Sequence, residues 1–250
     1  MVVEKIILGV VQGITEFLPV SSSGHVVFLK HIFGLEFRGA FYETFLHTAT
    51  FLSVVFVLRD KIFNPQNFKK YFPLSVVATI PLIPAVFIIK PLEDTFNNPK
   101  ILAFTFLITS VFLFLTLFAP KGNEKPNLKN SIIMGIFQMI ALLPGVSRSG
   151  ITISSGIFSK MEPEEAFNLS FWIFLPASLG AFVLESRHIK EINLNLYDFI
   201  VWIITFFVGV ISLKLLRRVL LGKFFWVFSI YTLFLSILSL LIFNLRIITL

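Results

Sequence analysis

Leu18-Pro19-Val20-Ser21-Ser22-Ser23-Gly24-His25 is repeated half the chain later, with one glycine inserted, as Leu143-Pro144-Gly145-Val146-Ser147-Arg148-Ser149-Gly150. Each copy sets proline, glycine and hydroxyls inside an otherwise apolar stretch. Lipid cannot satisfy the backbone groups that such a break frees, so each break must be buried in protein or line a wet cavity. Two breaks of one kind predict one shared site.

Around them the chain is strongly apolar. It is 56% hydrophobic, with 32 Phe among 250 residues and a mean hydropathy of +0.89, far from the make-up of a soluble domain. This composition predicts a polytopic membrane protein, with the lipid bilayer as its first partner. There is no cysteine, which excludes disulfides and thiolate metal sites. Glu4 and Lys5 near the start, and no small-residue cleavage site after them, argue against a cleaved signal peptide. The net charge of +7 reads as membrane orientation and not as a nucleic-acid surface.

Six stretches are expected to span: 43–58, 73–90, 101–118, 166–184, 197–214 and 224–245. The regions 5–35 and 131–158 read differently. Each has two apolar arms around its break, too short to cross singly at ~1.5 Å per residue. Both are expected as re-entrant helix–loop–helix hairpins. The architecture expected is therefore all-α, a single integral membrane domain over 1–250, with six transmembrane helices and two re-entrant hairpins. One hairpin and three crossings on each side of Pro120-Lys121-Gly122-Asn123-Glu124-Lys125-Pro126 make inverted-topology halves of about 1–120 and 121–250.

Charge can be counted on that topology. Arg59, Lys61, Lys69, Lys70, Lys121, Lys125, Lys129, Lys160, Lys214, Arg217, Arg218 and Lys223 fall on one face, twelve in all. Lys5, Lys30, Arg38, Lys90, Lys100, Arg187, Lys190 and Arg246 fall on the other, eight in all. The twelve-charge face is the cytoplasmic candidate.

The breaks carry chemistry. Gln12 and Glu16 share a helix face, and a carboxylate inside an apolar arm is costly enough to suggest function. Ser21, Ser22 and Ser23 can cap the second arm. His25, three residues beyond Ser22, is placed to reach its hydroxyl as an acid/base group or nucleophile activator. In the second break Arg148 is the only basic residue between Lys129 and Lys160. Its planar fork suits a phosphate, with Ser147, Ser149 and Thr152 beside it at a helix start. An Arg148–Glu16 ion pair that only locks the hairpins is the other reading, and the two are compatible. His47, beside Thr48 and Thr50 on a spanning helix, reads as a structural hydrogen-bonding residue.

Gln12-Gly13-Ile14-Thr15-Glu16 followed by Ser22-Ser23-Gly24-His25 resembles the Glu/Gln-x-x-x-Glu and Ser-Gly-His region of the bacterial undecaprenyl-diphosphate phosphatases, the bacitracin-resistance family. Pro144-Gly145-Val146-Ser147-Arg148-Ser149-Gly150-Ile151-Thr152 resembles that family's Pro-Gly-x-Ser-Arg-Ser-x-x-Thr motif. The resemblance implies hydrolysis of undecaprenyl diphosphate to the monophosphate carrier of cell-wall synthesis, in the bacterial plasma membrane, with Mg2+ or Ca2+. It implies Glu16 and Gln12 as the metal- and water-organising pair, and Ser22 and His25 as nucleophile or proton-transfer groups. Arg148, Ser147, Ser149 and Thr152, with Ser21, would hold the polyprenyl diphosphate. Gln12 stands where some members carry Glu, so Glu16 is expected to carry more of the work.

An inverted-repeat secondary transporter or flippase for an anionic substrate is the competing class. The lipid phosphatases that resemble vanadium haloperoxidases share Ser-Gly-His and Ser-Arg, but expect a His where Ser154 stands. Sequence leaves open the nucleophile, a homodimer and lipid flipping. With the termini outside, the catalytic pocket is expected to open to the extracytoplasmic side.

Overall fold

The computed structural model describes residues 2–33, 39–89, 99–185 and 194–248. Among them the fold is helical, with one isolated β-bridge between Glu124 and Met161. In chain order the helices are α1 (Val2–Thr15), α2 (Ser22–Phe33), α3 (Gly39–Val57), α4 (Arg59–Ile62), α5 (Pro65–Thr79) and α6 (Leu82–Ile89). Then follow α7 (Pro99–Leu115), α8 (Leu128–Gln138), α9 (Arg148–Phe158), α10 (Pro163–Glu185), α11 (Leu196–Leu221) and α12 (Val227–Ile248). Among the described residues four stretches are long and apolar enough to cross a membrane: Pro65–Ile88, Ile101–Phe118, Pro163–Leu184 and Leu196–Leu221. The expected spans 43–58 and 224–245 correspond to α3 and α12, whose described apolar stretches, Tyr42–Val57 and Val227–Ile242, are shorter. The protein is a multi-pass membrane protein.

Helices α1 and α2, of 14 and 12 residues, would extend roughly 21 and 18 Å, short of a hydrocarbon core of about 30 Å. Their outer ends lie together. Lys5 on α1 pairs with Asp198 at the start of α11 and sits 5.6 Å over the Tyr42 ring, while Lys30 on α2 pairs with Glu43 at 2.8 Å. The second pair behaves alike: Asn130 near the start of α8 donates to the carbonyl of Ser159 just past α9. In each pair the first turn of one helix and the last turn of the other thus lie near one another. The packing also exchanges partners between the halves, α1 and α3 lying on α11 while α8 and α10 lie on α5, with α7 against α12 and α3 against α10.

The ion pairs sort by face. Lys61 and Arg217 both meet Glu164, and Lys70 meets Glu165, which also accepts from Tyr71. Among the described residues no carboxylate pairs with members of both the twelve-charge and the eight-charge set. Arg38, Lys90, Arg187 and Lys190 lie outside the described residues.

Beneath the first break, Phe17 is fully buried edge-on against Phe171 and Phe174 of α10, with ring centroids 5.8 and 6.3 Å apart. In lipid such burial contributes through close packing and not through escape from water. It anchors the break to α10, the helix that also supports the second one.

Candidate active site

Two serine caps set the geometry. Ser21 lies at φ 70°, a left-handed turn in which its Oγ accepts from the Gly24 N–H at 3.2 Å and, across the breaks, from the Gly145 N–H at 3.1 Å. Ser147 is extended and caps α9, its Oγ accepting from the Gly150 N–H at 3.1 Å. Serine hydroxyls at this position satisfy N–H groups that a helix start leaves free. Helices α2 and α9 therefore begin at equivalent residues, Ser22 and Arg148. The two tips touch, since a Cβ on Gly24 would sit 2.7 Å from the Gly145 Cα. Gly145 itself is at φ 93°, where only glycine is unstrained. Thr109 of α7 fixes that tip, donating to the Gly145 carbonyl at 2.9 Å and accepting from the Ser147 N–H at 3.0 Å.

Both first residues converge on Glu16. Arg148 donates from a terminal guanidinium nitrogen to Glu16 Oε1 at 2.6 Å, and Ser22 Oγ donates to Oε2 at 2.7 Å. Gln12 Nε2 donates to Oε2 at 3.0 Å. The carboxylate is only 6% exposed, so a charge that burial alone would make very costly is matched by a cation and two neutral donors. The Phe174 ring lies 3.9 Å beneath the guanidinium carbon, stacking it and fixing its plane.

A cavity of about 600 Å³ opens over this cluster, within the range of small-molecule sites. Glu16, Ser21, Ser22, Ser147 and Arg148 line its polar floor, and Leu82, Ala141, Leu142, Phe174, Ala177 and Phe182 are among its apolar wall. Gln12 reaches the floor through Glu16.

Three expected site residues are turned elsewhere. His25 does not reach Ser22: its Nδ1 lies 2.7 Å from the Ser21 carbonyl and its Nε2 2.8 Å from the Tyr231 hydroxyl. The imidazole stacks on Tyr231 and meets Phe106 edge-on. A helical side chain leans toward the N-terminus of its helix, which carries this one onto the Ser21 carbonyl and against α12, away from the cavity. Thr152 is fully buried and bonds to the Arg148 carbonyl and the Ser170 hydroxyl on α10. Ser149 is buried and meets the Ser147 hydroxyl at 3.2 Å. Neither lines the cavity.

Two other residues take their place. His47, read above as structural, lines the cavity with Nδ1 3.1 Å from Gln12 Nε2 and 3.5 Å from Glu16 Oε2. Gln138 also lines it. A signal for Gln138 is present in the sequence, since Gly135-Ile136-Phe137-Gln138 echoes Gly9-Val10-Val11-Gln12. For His47 there is none, because which face of α3 meets the cavity depends on packing against α10 and α11.

The donor set bears on a divalent cation. Among the described residues no three His, Asp or Glu side chains cluster as a metal cage, and Glu16 is the only carboxylate lining this cavity. Hard cations such as Mg2+ are commonly held by one or two protein oxygens with substrate phosphates completing the shell. Glu16 can supply one such oxygen, whereas the Gln12 amide turns its nitrogen to Glu16 and would offer its oxygen to a shared cation only with the amide turned over.

The sequence model for the family described as "Bacitracin resistance protein BacA" matches residues 5–238. The undecaprenyl-diphosphatase of Thermosipho africanus is 36% identical over 245 residues, covering 94% of this chain and 97% of that protein. The protein of the same name from Thermotoga maritima is 35% identical over 238 residues, covering 94% and 98%. That from Methanococcus maripaludis strain C7 is 34% identical over 245 residues, covering 91% and 95%. With both motifs of the resemblance meeting at one carboxylate and the match running through nearly the whole chain, this protein belongs to the bacitracin resistance protein BacA family.

Proposed function

We propose that this chain hydrolyses undecaprenyl diphosphate to undecaprenyl phosphate and inorganic phosphate at the Glu16–Arg148 cluster. The observation that carries the reading is the convergence of two helix starts, through Ser22 and Arg148, on one buried carboxylate beneath a cavity with an apolar wall. Helix N-termini favour anions, and the apolar wall suits a prenyl tail.

Phosphoryl transfer asks for positioning and charge neutralisation. Arg148, held flat by Phe174, presents guanidinium N–H groups to the terminal phosphate. Ser22 attacks the phosphorus while its proton passes to Glu16, to which the hydroxyl already donates. The phosphorus–oxygen bond to the bridging oxygen breaks and prenyl monophosphate leaves. Glu16 gives up that proton to the departing monophosphate; water then attacks the phosphoserine, the freed carboxylate takes the water's proton and returns it to Ser22 Oγ as the serine–phosphorus bond breaks, and inorganic phosphate is released. A divalent cation, held by Glu16 and Gln12, would supply neutralisation of phosphate charge. His25 serves as a brace between the first tip and α12, and Ser149 and Thr152 shape the start of α9.

The topology proposed is six spans and two re-entrant hairpins in inverted halves, with the cavity open to the extracytoplasmic side. The returning arms, the exchanged packing and the sorting of ion pairs by face support it. Phosphate release from a C15 or C55 prenyl diphosphate by purified protein in detergent, where no gradient exists, tests the function. Absence of release, with uptake of the intact lipid diphosphate into vesicles, would favour a transporter.

A further inference from the structure

Gln138, the last residue of α8, is 2% exposed, and neither its amide oxygen nor its amide nitrogen has a partner. Among the described residues it is the one side chain with two buried polar atoms unmet. Native proteins rarely leave such groups unpaired, because burial strips their water and returns nothing. Helix α8 is closely packed on α5 just before it. One turn earlier Gly135 is pressed on α5, where even a Cβ would come within 2.5 Å of the Ala78 carbonyl oxygen.

Gln138 lines the same cavity as Arg148 and Ser147. The next turn of its own segment, Ala141 and Leu142, belongs to the apolar wall together with Leu82. Gln138 therefore stands where the polar floor gives way to the side suited to a prenyl chain. A fully ionised diphosphate is rich in acceptors, and one guanidinium fork serves the oxygens of one phosphoryl group.

Resting on the diphosphatase reading above, we propose that Gln138 binds the phosphate attached to the prenyl chain, its amide nitrogen donating to that group's oxygens and its amide oxygen accepting from a water that accompanies them. Arg148 then holds the transferred phosphate and Gln138 the one that leaves with the lipid. The unmet amide of the free protein is the cost of that recognition. The contact is present in both substrate and product, so it acts on binding more than on the chemical step.

The test measures farnesyl diphosphate hydrolysis, competitive inhibition by farnesyl monophosphate and by inorganic phosphate, and the melting temperature of ligand-free protein, for wild type, Gln138→Met and Gln138→Asn. Gln138→Met keeps the volume and removes both unmet groups, so its melting temperature should hold or rise. Its KM for farnesyl diphosphate and its inhibition constant for farnesyl monophosphate should both rise about tenfold, whereas that for inorganic phosphate should move less than threefold. Gln138→Asn, with the amide drawn back by one methylene, should show the same pattern and secures the test if the Met variant does not fold. Prenyl constants unchanged in whichever variants fold, or a melting temperature that drops while the constants stay at wild type, would overturn the proposal. Wild-type protein that releases no phosphate would instead overturn the diphosphatase reading, and the first arm separates the two failures.

Discussion

Arg148→Lys keeps a positive charge at the second tip and removes everything else the guanidinium supplies. In the native cluster one nitrogen meets Glu16 Oε1 at 2.6 Å while the guanidinium carbon lies 3.9 Å over Phe174. The fork can hold Glu16 and still face the cavity. An ammonium can keep the ion pair or reach the phosphate, not both, and loses the flat stack, which contributes about 0.5–2 kcal/mol. Charge-assisted hydrogen bonds to phosphate contribute about 1.5–3 kcal/mol each. Losing two removes about 3–6 kcal/mol of transition-state stabilisation, or roughly 10²- to 10⁴-fold in kcat/KM at about 1.4 kcal/mol per factor of ten. Folding should survive, because the Glu16 charge stays paired. Arg148→Ala, by contrast, strands a buried carboxylate and should cost about 3–5 kcal/mol of stability. Phosphate release and thermal melting of wild type and both variants in one detergent decide the matter. A Lys variant turning over within threefold of wild type would show that a point charge suffices and would refute the geometric reasoning.

Other outcomes follow from the same geometry. Glu16→Gln leaves the Arg148 guanidinium without its carboxylate and should melt lower than wild type, while the protein that remains folded turns over about 10²- to 10⁴-fold more slowly; a folded variant above a tenth of wild-type turnover would contradict the assigned base. Gln12→Glu adds a carboxylate to the partial cation set, so half-maximal activity should need less Mg2+; an unchanged Mg2+ titration would remove Gln12 from the cation site. Tyr231→Phe leaves the His25 imidazole without its hydroxyl partner and should lower stability by about 1–3 kcal/mol, with a smaller fall in turnover than Glu16→Gln. Turnover abolished at an unchanged melting temperature would place His25 in the chemistry after all. Ser23→Cys, made on a chain without cysteine, should react with a membrane-impermeant thiol reagent applied outside; labelling only from the cytoplasmic side would reverse the orientation taken from the twelve-to-eight charge count.

What could be read in sequence was what the membrane enforces locally. A broken helix in lipid needs glycine, proline and capping hydroxyls, so both breaks were visible, and a charge among apolar residues drew attention to Glu16 and Arg148. The ion pair between them, weighed as an alternative, forms alongside a geometry suited to phosphate. Residue facing was not legible. A spacing of three suggested that His25 looks toward Ser22, but Tyr231, 206 residues away, takes its ring. His47 lies in the cavity because α3 packs between α10 and α11 with that face inward, which no periodicity in so uniformly apolar a helix reveals. Thr152 fits a phosphate motif by position, yet its hydroxyl is absorbed by Ser170. Span lengths suffered from the same uniformity, since apolar runs merge with flanking polar turns, and α5 begins at Pro65 where 73 was expected.

The most direct test follows the terminal phosphate itself. Prenyl diphosphate radiolabelled on that group is mixed with wild-type or Glu16→Gln protein in detergent, and label is followed in inorganic phosphate and in the prenyl product. Wild type should release labelled inorganic phosphate one for one with unlabelled prenyl monophosphate, while Glu16→Gln, compared at equal concentration of folded protein, should release almost none. Equal release by the two proteins would mean that the carboxylate joining the two breaks does not drive the transfer.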